Sequence, residues 1–568
     1  MPSRLPRALQ DYLPQLASSL QRGYGARDLR ADLVAGLTVA IVALPLAMAL
    51  AIASGTTPER GLHTAIVAGF LISALGGSRV QIGGPTAAFI PVVFNVIERF
   101  GYEGLILCTL LAGLILIAAG LLRVGALLRY MPQPVITGFT AGIAVSIFAS
   151  QVKDALGLRM DQVPGEFVAR WLAYWEHLPS WQPAAAGLCA AGLLALAMLK
   201  RHRPRWPAFL IVVIGGSLAA LLLPVPTIGS SFGALPSALP ELSMPNIPFE
   251  RTLELLPAAL TIAFLAGVES LLSAVVADGM TGGRHRPNAE LVAQGVANAA
   301  SALIGGLPAT GALARTATNV RAGARSPIAG IAHSGFLLMF MLLLSPLMAY
   351  VPLPVLAALL LVVAWNMAEV HRFRQLLRAP AGDRVVLLVT FALTVAVDLT
   401  IAIEVGVVLA AFVFMHRMGE SVRVQAPADE DEEDSDELHI RERLPEGVEM
   451  CRFRGPLFFA VADRLDRILD PIREPPRVFI LRMRQVPLVD ASGVTALEAF
   501  LDRCQKMGTA VILSGLEGQP REILRQMDFG RHPNLLGMAS SFDEALAMAA
   551  AALRADPASG GMQAPQAQ

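Results

Sequence analysis

Apolar runs recur along this chain from Asp32 to His416, and they constrain its fold more than any other feature. Runs of about 17 to 25 residues suit helices that cross the hydrocarbon core of a bilayer. Fourteen segments are expected, near residues 32–53, 61–77, 86–98, 104–122, 134–150, 184–199, 206–222, 256–279, 290–305, 311–321, 327–350, 353–369, 383–397 and 399–416. Composition agrees: 54% of the 568 residues are hydrophobic and 16% charged, against about 25% charged in a soluble domain. Met1 to Leu20 is polar with basic residues and lacks an apolar core before a cleavage site, so no removable signal peptide is expected.

Basic clusters orient these segments. Arg22, Arg27 and Arg30 precede segment 1, and Arg123 and Arg129 follow segment 4. Lys200, Arg201, Arg203 and Arg205 follow segment 6, Arg284 and Arg286 follow segment 8, and Arg372, Arg374 and Arg378 follow segment 12. With the N-terminus inside, every cluster falls on the cytoplasmic face of a bacterial inner membrane, and both termini are cytoplasmic. The loops 151–183 and 223–255 fall outside.

An internal repeat is also readable. Leu37-Thr38-Val39-Ala40-Ile41-Val42-Ala43 resembles Leu260-Thr261-Ile262-Ala263-Phe264-Leu265-Ala266, and Ile82-Gly83-Gly84 matches Ile304-Gly305-Gly306. Both matches have an offset of 222 or 223 residues, which suits seven segments per repeat. Seven is odd, so the second half enters the bilayer inverted. In both halves the third segment is short and follows a break, Gly83-Gly84-Pro85-Thr86 in one and Gly305-Gly306-Leu307-Pro308-Ala309-Thr310-Gly311 in the other. Unwound backbone at membrane depth must be buried or line a wet cavity. Two half-helices meeting there would each present about half a positive charge, which suits an anion. Ordinary kinks in packed helices are the alternative.

Ionisable residues inside the spans sharpen this expectation. Arg315 sits about one turn into the second half-helix. A charge at the bilayer centre costs about 2.5 to 3.5 kcal/mol, so it must face a partner or water. It is read as a counter-charge to the anion or as half of a structural pair. Glu269 lies midway along segment 8, with Ser273 one turn away on the same helical face. A carboxyl there would bind and release a proton and so couple uptake to the proton gradient; a Na⁺ ligand or a salt bridge with Arg315 are the alternatives. Asp398 is expected to be a solvated cap, Asp278 with Arg284 and His285 structural, and His63 a satisfied interfacial histidine. Glu404 has no assignable role.

The chemistry expected to be absent follows from what is missing. Cys108, Cys189, Cys451 and Cys504 show no metal or framework spacing, and the first two read as small buried side chains. No Ser/His/Asp, Cys/His or metal cluster appears, so neither an enzyme nor a cofactor is expected. The 45 basic and 45 acidic residues balance and argue neither for nor against nucleic acid; no nucleic-acid partner is expected.

Beyond the spans, residues 429–437 are an acidic, self-repelling linker. From Leu438 strands and helices alternate, with strands at 448–453, 456–459, 477–481 and 510–514 and helices near 461–469, 492–506, 520–527 and 541–553. That describes one small α/β domain. The expected division is a cytoplasmic segment 1–30, a transport domain 31–417, an acidic linker 418–437, an α/β domain 438–553 and a disordered tail 554–568.

Several motifs resemble the SulP family of anion transporters, over about residues 28 to 553. They are Ala35-Gly36-Leu37-Thr38-Val39 with Leu44-Pro45, Gly84-Pro85-Thr86, Glu269-Ser270-Leu271-Leu272, Asp278-Gly279-Met280-Thr281-Gly282 and Arg315-Thr316-Ala317-Thr318-Asn319. The run from Glu269 through Asn298 to Pro327 is similar to the family's bacterial C4-dicarboxylate transporters. The resemblance implies a seven-plus-seven inverted repeat, with a core (segments 1–4 and 8–11) moving elevator-like against a gate (5–7 and 12–14). It implies a homodimer, and a substrate site lined by Leu46 and Leu50, by Thr86 and Ala87, and by Ala312, Leu313, Ala314 and Arg315. Many relatives have a serine where Ala314 stands, and some bicarbonate transporters have Asp where Glu269 stands and use Na⁺. The longer acid and its surroundings favour protons and a dicarboxylate such as succinate, fumarate or aspartate, with sulfate or bicarbonate as alternatives. A membrane sensor signalling through the tail is a third reading.

The tail resembles a STAS domain. Its Asp490-Ala491-Ser492-Gly493 matches that family's turn between a strand and a helix. Phosphate on Ser492 would sit at a positive helix end and answer to a cytosolic regulator; a simple N-cap is the alternative.

Overall fold

A computed structural model describes all residues except 1–9, 22, 127–130, 161–162, 204–205, 234–241, 243–248, 398, 426–442, 460–464, 466–474 and 555–568. The acidic linker 429–437, Asp398, the tail from 555 and, apart from Leu465, the helix expected at 461–469 lie outside the described residues. The chain divides into two compact units, Met1–Ala410 and Ala411–Gln568.

The first unit is helical. Its main helices are α1 (Ala26–Ala53), α2 (Pro58–Leu75), α3 (Ile90–Leu121), α4 (Gln133–Ser150), α5 (Pro183–His202), α6 (Ala208–Ala220), α7 (Phe249–Thr281), α8 (Pro287–Leu303), α9 (Leu313–Arg321), α10 (Ile328–Met348), α11 (Leu353–Met367), α12 (Ala381–Ala396) and α13 (Leu399–Ser421), which runs on into the second unit. Among the described residues, eight helical stretches are long and apolar enough to cross a membrane. The fourteen expected segments map onto these helices because α3 is two of them. It breaks at Gly101, where φ is 71° and ψ is −176°, a conformation that glycine adopts without Cβ strain.

Packing separates two groups. In the core, α1, α2 and α3 pack against α7, α8, α9 and α10; in the gate, α4, α5 and α6 pack with α11 and α12. Gly406 of α13 abuts Thr390 of α12 and Val135 of α4. Seven segments thus precede their inverted counterparts. The core is held by close backbone approach as much as by large side chains. A Cβ on Gly113 of α3 would lie 2.7 Å from the Gly295 carbonyl of α8, and one on Gly295 would lie 2.5 Å from that of Gly113. Small residues are the usual means of bringing helices together in lipid, where apolar burial alone gives no preference.

Two short strands mark the inversion. β1 (Gly83–Gly84) pairs antiparallel with β2 (Thr310–Gly311), Gly83 opposite Gly311 and Gly84 opposite Thr310. This corrects one sequence match. The structural counterpart of Gly83-Gly84 is Thr310-Gly311, whereas Gly305-Gly306 lies just beyond the end of α8. Glycine pairs align by composition alone, and the extra residues between Ile304 and Ala309 shift the true register.

The second unit contains a five-stranded sheet. Its order is β3 (Arg423–Gln425), β4 (Val448–Arg454), β5 (Val478–Gln485), β6 (Ala510–Ser514) and β7 (Leu535–Ala539), parallel except for β3 against β4. Alternation along β5 sends Phe479 and Leu481 to one face with Phe453 and with Phe500 of α14 (Ala491–Lys506). Val478 and Ile480 go to the other, with Ala545 and Ala549 of α16 (Phe542–Arg554). Between them in sequence, α15 (Gly518–Gln526) buries Leu524. Burial pushes the Cys504 thiol up to about 12, so it stays protonated and inert. The strand expected at 456–459 is instead a single bridge, Leu457 to Val489. Sequence reasoning missed β7, which has no β-branched residue and contains Gly537.

Replacing Gly113 or Gly295 with leucine forces α3 and α8 apart. The expected cost is about 1–3 kcal/mol, read as a lower melting temperature of the detergent-solubilised protein. An unchanged melting temperature in both variants would show that the helices reseat freely.

Candidate functional site

The site forms where the paired strands hand over to helices. After β1, Pro85 contributes no N–H and Thr86 is extended, at φ −125° and ψ 158°. A short 3₁₀ turn, Ala87–Phe89, then runs into α3. After β2, Ala312 is extended and α9 begins at Leu313. The Ala312 N–H donates to the Ile82 carbonyl at 2.8 Å, extending the contact between the two breaks. Neither helix start has a side-chain cap. Their first N–H groups therefore lack intrahelical partners, and both partial positive charges gather at one place.

Two ionisable side chains border these helix starts. Glu269, half-buried on α7, accepts a hydrogen bond from Thr86 Oγ1 at 2.9 Å. Arg315, only 4% exposed on α9, donates from Nη2 to the Pro85 carbonyl at 2.8 Å. Its Nε and Nη1 are buried and have no partner among the described residues. No ion pair joins Glu269 to Arg315 among those residues, so the close salt bridge weighed above does not form. Gly84, at φ +148°, is required here twice over: a Cβ would strain the backbone and lie 2.5 Å from Arg315 Nη1.

The other expected residues take various places. Ala87 and Ala312 are buried at the two starts, and Leu313 and Ala314 are exposed on the first turn of α9. On α1, which packs on α9, Leu46 is half-buried and Leu50 buried. Ser273 does not join Glu269. Its hydroxyl donates to Thr316 Oγ1 at 3.0 Å, and Thr316 Oγ1 in turn accepts from the Ile82 N–H at 3.1 Å, fastening α9 to the first break. Ser492 is exposed on the first turn of α14, and the cap there is Asp490, whose Oδ1 accepts from the Gly493 N–H at 2.7 Å. The cap role weighed for Ser492 therefore falls to Asp490. His63 Nε2 is buried without a partner among the described residues, which corrects its reading as satisfied. Asp278 accepts from His285 at 2.7 Å at the end of α7. Glu404 lines a cavity of about 1370 Å³ with Ile52, Ile90, Phe94, Glu98 and Thr394, reaching to within one turn of Thr86.

Sequence reasoning missed a buried polar frame around the breaks. Glu290 is wholly buried and accepts four hydrogen bonds, from the Gly77 and Ser78 N–H groups at 2.9 and 3.1 Å and from Ser270 Oγ and Gln294 Nε2, each at 2.9 Å. Gln81 donates to Ser270 Oγ at 3.1 Å, and Asn298 grips both the N–H and the carbonyl of Ala309. His333, on α10, is wholly buried. Glu290 stands at the expected start of segment 9, and sequence reasoning gave it no role. His333 stands mid-run in segment 11, a signal that could have flagged it.

Comparison with known proteins places these features in a family context. The sulfate permease family matches residues 29–390, and the STAS domain matches residues 440–545. The chain is 40% identical over 511 residues to the Bacillus subtilis (strain 168) protein named "Putative sulfate transporter YvdB", covering 89% of this chain and 95% of that protein. It is 30% identical over 526 residues to the bicarbonate transporter BicA of Picosynechococcus sp., covering 88% of this chain and 91% of that one. In fold it is similar to the murine Slc26a9 anion transporter in its inward-facing state, with a TM-score of 0.85 at 20% identity, covering 96% of each chain.

Removing the Glu290 carboxylate takes the acceptor from the Gly77 and Ser78 N–H groups and from Ser270 Oγ at once, while Gln294 Nε2 keeps Ser270 Oγ at 2.9 Å. Glu290→Ala is expected to cost about 3–5 kcal/mol and to sharply reduce the yield of folded protein, while Glu290→Gln, which keeps one acceptor, loses less. Equal melting temperatures for wild type and Glu290→Ala would show that the donors find other partners.

Proposed function

Because the chain belongs to the sulfate permease family, we propose that it carries a small oxyanion across the membrane in symport with a proton. The observation that supports this reading is the meeting of two uncapped helix starts between Arg315 and Glu269. The anion sits against the first N–H groups at Ala87 and Leu313–Ala314, and the free Nε and Nη1 of Arg315 supply charge. Leu46 and Leu50 line the apolar side. Glu269 holds the coupling proton. Once neutral, it no longer repels the anion from 2.9 Å beyond the Thr86 hydroxyl, so proton and anion favour each other's binding. Ser273 acts indirectly, by holding α9 in place through Thr316. The core helices then move with the loaded site against the gate in an elevator-like step.

The substrate favoured is sulfate or bicarbonate, the solutes for which similar proteins are named. A C4-dicarboxylate is the second reading, carried by the residues from Glu269 to Pro327. We place the protein in a bacterial inner membrane with both termini cytoplasmic, as a homodimer. The proposed boundaries remain a transport domain at 31–417 and a STAS domain at 438–553. Ser492, exposed at a helix start, is the point at which a cytosolic regulator would act by phosphorylation. Phosphate-affinity electrophoresis that never detects modified Ser492 removes that element.

Proteoliposomes given labelled sulfate, bicarbonate or succinate under an imposed proton or Na⁺ gradient test the transport reading. Glu269→Gln is expected to abolish proton-driven accumulation and to leave anion exchange partly intact; unchanged proton coupling excludes Glu269 from that role. Arg315→Ala is expected to weaken apparent anion affinity about ten- to a hundredfold, the loss of about 1.5–3 kcal/mol from a charge-assisted hydrogen bond. An unaltered affinity would make Arg315 structural.

A further inference from the structure

The connection between α4 and α5 holds three of the chain's five tryptophans within eleven residues. Trp171 and Trp175 lie on the helix Phe167–His177, and Trp181 follows it. One face of this helix is fixed to protein. Arg170 donates to the Pro164 and Gly165 carbonyls at 2.9 and 2.8 Å, and Tyr174 donates to the Ala149 carbonyl at the end of α4, also at 2.9 Å. Tyr174 also packs with Leu158 and Met160. The opposite face has no such cover. Val168, Leu172 and Trp175 are 65%, 61% and 77% exposed, and their i, i+4, i+7 spacing places them in one stripe. Trp171 flanks the stripe on one side, and exposed Glu176 borders it on the other.

An uncovered apolar stripe of this kind calls for an apolar partner, and continuity decides which one. Trp181, half exposed, stands two residues before Pro183, where α5 begins. The exposed Leu194 and Met198 of α5 belong to a segment apolar enough to span a bilayer. The Gln182 N–H donates to the Leu156 carbonyl at 2.9 Å, holding the start of α5 level with the rest of the connection. The stripe therefore leads, through Trp181, directly into a helix apolar enough to span a bilayer. Indole rings collect where a chain leaves the hydrocarbon, with an apolar body inward and an N–H toward water.

We propose that Phe167–His177 is an interfacial helix that lies flat in the lipid headgroup region. Val168, Leu172 and Trp175 are immersed at the boundary with the acyl chains, and Glu176 faces water. Through Tyr174 the helix sets the depth of α4 and hence of the gate. This inference does not depend on which solute is carried.

The four native cysteines are buried, so nitroxide labels can be placed at Leu172→Cys, Trp175→Cys and Glu176→Cys in the full chain. The protein is reconstituted in phosphatidylcholine–phosphatidylglycerol vesicles, and collisions are measured with oxygen and with a water-soluble nickel chelate. Oxygen is expected to dominate at 172 and 175, and nickel at 176. Nickel dominating at all three places the stripe in water and overturns the proposal. Exclusion of both reagents, with spin–spin broadening that disappears on dilution with unlabelled protein, means that a second copy covers the face, which also overturns it. Should Trp175→Cys fail to fold, Val168→Cys reports on the same stripe.

Discussion

The pairing of Gly83–Gly84 with Thr310–Gly311 is the contact on which the rest of the membrane unit depends. A strand pair is an unusual element among membrane spans, since its backbone groups must be satisfied within the protein. Here it joins the two halves of the chain where each is broken, and it fixes where both following helices begin. Because those helices leave opposite ends of one antiparallel pair, their uncapped starts gather at one place. The glycines are needed because side chains there would collide with Ile72 and with the Arg315 guanidinium.

Such a pair is too short to hold itself, and side chains from the surrounding helices secure it. Glu290 fixes the backbone at Gly77 and Ser78, Asn319 donates to the Val80 carbonyl at 2.8 Å, and Thr310 donates to the Ala266 carbonyl at 2.7 Å. Asn298 secures Ala309 from both sides. Near the start of α1, Asp32 accepts from the Arg325 and Ser326 N–H groups at 2.6 and 3.2 Å and from Tyr24 Oη at 2.8 Å, seating the start of α10. In a low-dielectric interior each such group is costly if unpaired, so a complete set favours one arrangement over its near neighbours. The core is consequently able to behave as one body. The gate, whose contacts rely more on the close approach of Gly138, Gly142 and Gly406 to Thr390, Thr394 and nearby backbone, has fewer such polar ties among the described residues.

Membrane spans and the family were legible in the sequence because the bilayer demands long apolar helices and because Gly84-Pro85-Thr86 and Arg315-Thr316 are distinctive. The break within α3 was legible too: the charged pair Glu98-Arg99 and then Gly101 separate two apolar stretches. The exact repeat register was not, since a glycine pair at 305–306 imitates the one at 83–84. Nor was Ser273 placed correctly, because one helical turn from Glu269 satisfies several neighbours equally well. In the second unit, β7 lacked the β-branched pattern that identifies strands, and its position against β6 comes from packing alone.

Local chemistry written in the chain thus determined the number of spans, the inverted halves, the α/β character of the tail and the presence of Glu269 and Arg315 within apolar surroundings. Tertiary structure alone decided that Glu269 meets Thr86 rather than Arg315, that Arg315 reaches the Pro85 carbonyl, and that Glu290 is a buried fastening. The physical reason is distance in sequence. Periodicity and hydropathy act over a turn or a span, whereas these partners lie 183, 230 and 213 residues apart and meet only once the two halves have packed.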